Sequence, residues 1–119
     1  PNSPSGRIEF FPAHPHEGAV GVPKDIPNGR VIATGKSLVS ERPFNLAVAV
    51  ERGKDEQGNA LGRMVAQSTF HHFVDYNWDT DKGCPCFVTE PIGEGMKQEP
   101  RAIEDIKTYV RNLALWLAR

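Results

Sequence analysis

The clearest alternation along this chain runs through "FNLAVAVER", residues 44 to 52. Phe44, Leu46, Val48 and Val50 fall on one face, because successive side chains of a strand point to opposite sides. Ala47 and Ala49 fall on the other, and small residues there predict a second face closely covered by neighbouring chain. "RMVAQSTF" (63–70) is another strand pattern. The polar, Gly- and Asn-bearing "GKDEQGNALG" (53–62) between the two reads as a hairpin loop, so 44–52 and 63–70 pair antiparallel. Two shorter apolar runs, "RIEFF" (7–11) and "RVIATG" (30–35), add short strands, the second stopped by Gly35. The proline- and glycine-rich segment that separates them excludes a helix and most regular sheet.

The period changes near the end of the chain. Ile103, Ile106, Val110, Leu113 and Leu117 recur at helical spacing, and Trp116 widens the stripe. Pro100 suits a first helical turn, where its missing N–H costs nothing. Glu104, Lys107, Thr108 and Arg111 are expected to face outward, making this an amphipathic helix for packing on a sheet. Segment 79–99, "DTDKGCPCFVTEPIGEGMKQE", has no sustained period, apart from "CFVT" as a brief strand. A stretch of that length within a compact domain points to a functional lid or a disordered segment. The pattern as a whole predicts an α/β domain over residues 1–119. It would hold a mixed sheet, the 44–52/63–70 hairpin and a C-terminal amphipathic helix.

Composition narrows the partners. The 119 residues are 39% apolar and 24% charged, with formal charge −1. Nucleic-acid binding would need clustered positive charge, which is absent. No apolar run approaches the roughly 20 residues that span a bilayer, and the polar start "PNSPSGR" is no secretory signal. The only cysteines, Cys84 and Cys86, lie in "CPC". A disulfide across one residue is strained, so two free thiols in a reducing, cytoplasmic compartment are expected. The chain begins with Pro1 and ends with "LALWLAR" inside an apolar helical pattern. A fragment of a longer chain accounts for both ends; a processed terminus accounts for the first.

All four histidines fall in two motifs, "HPHEG" (14–18) and "STFHHF" (68–73). Proline extends the residue before it, so His14 and His16 can present two imidazoles to one side, with Glu17 turned away. His71 and His72 face opposite ways in a strand, so one ring would join a shared site and the other would serve structure. Asp75 comes within reach of His72 if the chain turns helically. Sites in open α/β sheets form beyond the carboxyl ends of parallel strands. The two motifs therefore share an edge only if 7–11 and 63–70 run parallel. The acid–base or ligand-binding candidates are His16, Glu17, His71, His72 and Asp75. A divalent metal is the candidate cofactor, with His14, His16 and His71 as its ligands, although no H-E-x-x-H or C-x₂-C pattern supports one.

A strand with a His-containing turn, a hairpin, "GRMVAQSTFHHF" and a closing "NLALWL" helix together resemble a known family. Over residues 30–119 they are similar to the C-terminal part of class I glutamine-amidotransferase-like domains. The trehalose-utilisation-type branch is the nearest, and the resemblance implies a partial flavodoxin-like sandwich. Members that catalyse carry a cysteine at a glycine-flanked strand-to-helix elbow, whereas Cys84 and Cys86 lie in a loop. The family's His-Pro-Glu motif has glutamate two residues after histidine; here His16 holds that place and Glu17 follows. Glutaminase chemistry is therefore not implied, and in a fragment the first βα units would precede Pro1. The expected function is binding or hydrolysis of a small polar ligand at a His-rich edge. The alternatives are a structural or homo-oligomerisation domain of a larger protein and a metal-dependent hydrolase fragment.

Overall fold

The computed structural model describes residues 6–11, 18–89 and 91–119. These belong to an α/β protein of mixed helices and antiparallel strands, and the chain divides into two compact units. One comprises His16–Thr69, the other Pro1–Pro15 with Phe70–Arg119.

The first unit is a meander of hairpins. Strands β1 (Gly29–Lys36), β2 (Pro43–Val50) and β5 (Met64–Gln67) form a three-stranded sheet in the order β1-β2-β5. The central strand is the one with the alternating pattern, and Ala47, Val48 and Ala49 are each only 2% exposed, so both of its faces are withdrawn from water. Val48 lies opposite Val31 on one side and Ala66 on the other. Antiparallel pairing of β2 with β5 follows the sequence expectation, over narrower limits. Beyond Val50 the ladder is interrupted and then resumes in the same register as β3 (Gly53–Lys54) and β4 (Ala60–Leu61). Asp55 closes the tip: its Oδ1 accepts from the amides of Gln57 and Asn59 and its Oδ2 from the Asn59 side chain. Gly58 supplies the left-handed residue there, with φ 85°.

At the interruption, Glu51 accepts from Arg30 and Arg63, each at 2.9 Å. The Arg30 hydrogen bond above all, with Arg63 adding to it, holds the Glu51 carboxyl below its ordinary range. Strand β1 does not stop at Gly35. Gly35 pairs with Phe44, and a Cβ at Gly35 would lie 2.9 Å from Phe44 Cζ, so the glycine makes room for the ring and the ladder continues to Lys36. The expected mixed sheet is replaced by wholly antiparallel ladders among the described residues. Each strand meets its partner through a local hairpin, and no crossover connection is present to make a parallel pair.

The second unit has no strand among its described residues. Residues 7–11 are irregular, and "CFVT" makes a turn closed by the Val88 amide on the Pro85 carbonyl. Short turns and helices follow one another: a 3₁₀ turn at His71–Phe73, α1 (Asp75–Trp78), a 3₁₀ turn at Thr80–Lys82 and α2 (Gly95–Gln98). They lead into α3 (Pro100–Leu117), with its proline in the first turn as expected. Ile106 of α3 is fully buried and Ala102 is 4% exposed. Around the next turn, Tyr109 meets Phe11 edge-on at 5.4 Å and stacks on Phe73 at 6.1 Å. The apolar residues of "RIEFF" thus supply a ring to an aromatic cluster instead of a ladder.

Glu104, Lys107 and Arg111 face water as expected, while Thr108 is half-buried and Leu117 exposed. The inner line of α3 runs through Ala102, Asp105, Ile106 and Tyr109. Asp105, 7% exposed on that line, has Arg101 Nε 3.6 Å from its Oδ2 one turn back.

Candidate functional site

Strand β5 ends at Gln67, and the adjacent histidines sit in a 3₁₀ turn, not a strand. Their rings therefore do not follow strand alternation. Two side chains from the next turns close this one. Asn77 Nδ2 donates to the His71 carbonyl at 2.6 Å, and Trp78 Nε1 donates to the His72 carbonyl at 2.7 Å. A strand would need those carbonyls in a ladder; here the side chains six residues on satisfy them, and the chain can turn.

His72 is 3% exposed, with its ring 5.1 Å from Phe11 and 5.9 Å from Phe73, both edge-on. His71 is half-buried with its ring against Phe70 at 4.2 Å. Asp75 is exposed at the start of α1, where its Oδ1 accepts from the Tyr76 amide. His14, His16 and Glu17 lie outside the described residues. Among the described residues no three of His, Cys, Asp and Glu come together as a metal site. The parallel strand pair that would bring the two histidine motifs to one edge is not formed, because residues 8–11 make no strand.

The short helices that follow the histidine turn build one wall of a cleft of about 410 Å³ in the second unit. Asn77 and Thr80 come from this wall. Gly93, Gly95 and Met96 come from the segment that the sequence marked as a lid, and Glu99 and Ala102 from the start of α3. Phe10 and Phe11 complete a mostly apolar lining. Concave, mostly apolar sites with a few convergent polar groups are the usual form of a small-molecule site. Thr80 Oγ1 is buried with no hydrogen-bond partner. The rim is braced where the 3₁₀ turn at Thr80–Lys82 meets α2: Lys97 Nζ binds Asp81, with Glu94 3.8 Å away. The hydrogen bond that Lys97 donates to Asp81 raises the Lys97 pKa above its ordinary value, and the charges of Asp81, Glu94 and Asp79 add to it.

No protein-family profile, curated protein or solved structure matches the chain. The likeness to amidotransferase-like domains is thus a reading of motifs alone. No helix among the described residues is long and apolar enough to cross a membrane. Cys84 and Cys86 are free and exposed. Of the cleft residues, the sequence marked those of the unpatterned stretch 79–99, namely Thr80, Gly93, Gly95, Met96 and Glu99. Phe10, Phe11 and Ala102 were missed. Each falls inside a segment whose pattern is accounted for by secondary structure.

Proposed function

We propose that this chain is a small-ligand-binding domain whose site is the cleft between the Asn77–Thr80 turn, the Gly93–Met96 segment and the start of α3. The observation that carries the reading is a mostly apolar cavity of ligand size with a few polar residues, Asn77, Thr80 and Glu99, in its wall. In this reading His71 and His72 are positioning residues: their carbonyls anchor the two side chains that fix the turn. The partial flavodoxin-like fold rests on the motif likeness and belongs to the same proposal, as does a reducing, cytoplasmic setting, which the two exposed thiols support.

Screening a fragment library against the full chain by ¹H–¹⁵N NMR tests the proposal. Binders should perturb amides at 10–11, 77–80 and 93–102, and Ala102→Trp, which fills the cavity, should abolish those shifts. A screen whose binders all perturb other residues, or are indifferent to Ala102→Trp, overturns it.

A second reading, an assembly domain of a homo-oligomer or a larger protein, has its own observation. Leu38 and Val39 at the β1–β2 turn are 99% and 98% exposed. Sedimentation of the wild type and of a Leu38→Ser/Val39→Ser variant discriminates, since an assembly through this tip dissociates in the variant.

A further inference from the structure

We infer that Cys84 and Cys86 form a chelate for a soft monovalent metal ion, Cu(I), at a site separate from the cleft and independent of the ligand-binding reading above. Both thiols are free and exposed, one residue apart in "GCPCF". Neither residue lines the cleft. The backbone on each side of the pair is set by hydrogen bonds. Gly83, left-handed at φ 76°, ends the 3₁₀ turn at Thr80–Lys82, and its amide donates to the Thr80 carbonyl. Beyond the pair, the Val88 amide donates to the Pro85 carbonyl at 2.9 Å and closes a turn over residues 85–88. Phe87 in that turn is 79% exposed, so the turn and Cys86 within it stand in solvent. Ligands held between two fixed turns give up less freedom on binding than ligands in a loose loop.

The proline between the cysteines decides how their sulfurs are joined at least cost. Its ring holds φ near −65°, and the chain passes through Pro85 with neither a bend nor a helical turn. An extended proline advances the chain by about 3.1 Å per residue with three residues per turn. The flanking Cα atoms then lie about 6 Å apart, with side chains about a third of a turn from each other. A disulfide needs side-chain vectors that converge on an S–S bond of about 2.05 Å. An ion between the sulfurs raises the required separation to about 4.6 Å, twice a metal–thiolate bond. Closure through an ion is therefore the less strained of the two. The ligand type then selects the metal. Thiolates are soft and favour Cu(I), which two of them satisfy. Zinc also takes thiolates but needs four ligands, and among the described residues no three of His, Cys, Asp and Glu come together as a metal site. On binding, two S–H bonds break and two Cu–S bonds form. Both protons pass to solvent and no electron is transferred.

The test is an anaerobic titration of Cu(I) into the full, reduced chain against the chromophoric chelator bicinchoninate, followed in parallel by ¹H–¹⁵N NMR. One ion should bind per chain, with shifts centred on the amides of 83–88, and Zn(II) at the same concentration should leave those amides unmoved. Cys84→Ser and Cys86→Ser, both at exposed positions, should keep the dispersed spectrum of the folded chain. Each should weaken Cu(I) about a hundredfold or more, because the second thiol of a chelate binds as an intramolecular ligand. Wild-type affinity in either serine variant overturns the inference, since one thiol would then suffice. So does binding whose shifts centre on other residues, or a stoichiometry of one ion per two chains in sedimentation, which would make the ion a bridge between chains. Zn(II) held at 83–88 as tightly as Cu(I) overturns the selection of a soft monovalent ion.

Discussion

The two units of this chain reach order by different routes. In the hairpin unit, backbone pairs with backbone: β2 finds β1 and β5 through ladders whose register follows from alternating side chains. In the turn-and-helix unit, side chains supply what ladders supply elsewhere. Asn77 and Trp78 close carbonyls of the histidine turn, and Asp79 Oδ1 accepts from the Asp81 amide to open the next one. A ladder spreads its stability over many equivalent bonds. A braced turn concentrates it in a few donors that cannot be exchanged. The cleft sits in the second kind of structure, which suits a site, because irregular backbone can aim groups such as Thr80 and Asn77 where a strand would point them alternately away.

The comparison is broken most severely at the helix that supports the braced turns. Ile106 has no exposed surface, and truncating a buried isoleucine to alanine costs about 2–5 kcal/mol. Ile106→Ala should therefore lower the denaturation midpoint in urea strongly. It should also expose the amides of 71–82 to hydrogen exchange, because the aromatic cluster around Tyr109 lies on the same face of α3. Retained protection at 71–82 would mean that the turns are ordered by their own hydrogen bonds, and the contrast with the ladders would narrow.

The contrast also explains what could be read in advance. The β2–β5 hairpin was legible because Val48 and its neighbours repeat at period two, and α3 because Ile103, Ile106, Val110 and Leu113 repeat along a helix. Asp105 on the inner line was illegible, since a charged residue at a core position carries no apolar signal; Arg101 one turn back is its only trace. The strand expected at 7–11 failed because an apolar run records burial, not the partner that buries it. Phe11 joins rings, not a ladder. "STFHHFVDYNWD" was conspicuous for its histidines, yet its ordering groups are Asn77 and Trp78, which reach back six residues. No period reports a contact of that kind. The cleft was half legible: the unpatterned stretch 79–99 marked a wall, but Phe10 and Ala102 carry no mark of a ligand site.

Trp78→Phe sharpens the comparison at a single bond. The substitution keeps an aromatic ring but removes the Nε1–H that donates to the His72 carbonyl. A buried acceptor left unsatisfied costs about 1–3 kcal/mol, so the loss of stability should be of that order and smaller than for Ile106→Ala. The nearest control is removal of one ladder-side contact, the exposed Arg30 side chain on Glu51. Arg30→Ala should cost within about 1 kcal/mol, as exposed ion pairs do. Equal losses in the two variants, measured by urea denaturation, would refute the claim that braced turns concentrate their stability.

The smallest effects are electrostatic, and each unit has one with the opposite dependence on pH. In the hairpin unit the Glu51 carboxyl is held below its ordinary value of 4.5 by Arg30 and Arg63. A lowered folded-state pKa gives a contribution that is complete above the unfolded value and lost as pH falls through the folded one. Asp55, held below 3.8 by its bonds to Asn59, acts in the same sense. In the turn unit Lys97 is raised above 10.5 by Asp81. Its contribution is therefore complete below the unfolded value and disappears as pH rises through the folded one. Between these limits both are constant, so neutral pH hides them. All three groups are solvent-exposed, so each effect is small and screened by salt. Acid titration followed by side-chain carboxyl NMR should show Glu51 and Asp55 titrating below their ordinary values. Glu51→Gln should flatten the acid limb of the stability profile without touching the alkaline one, and Lys97→Met should do the reverse. A variant that altered both limbs would show that its charge acts beyond its own ion pair, and the two routes to order would then share an electrostatic term.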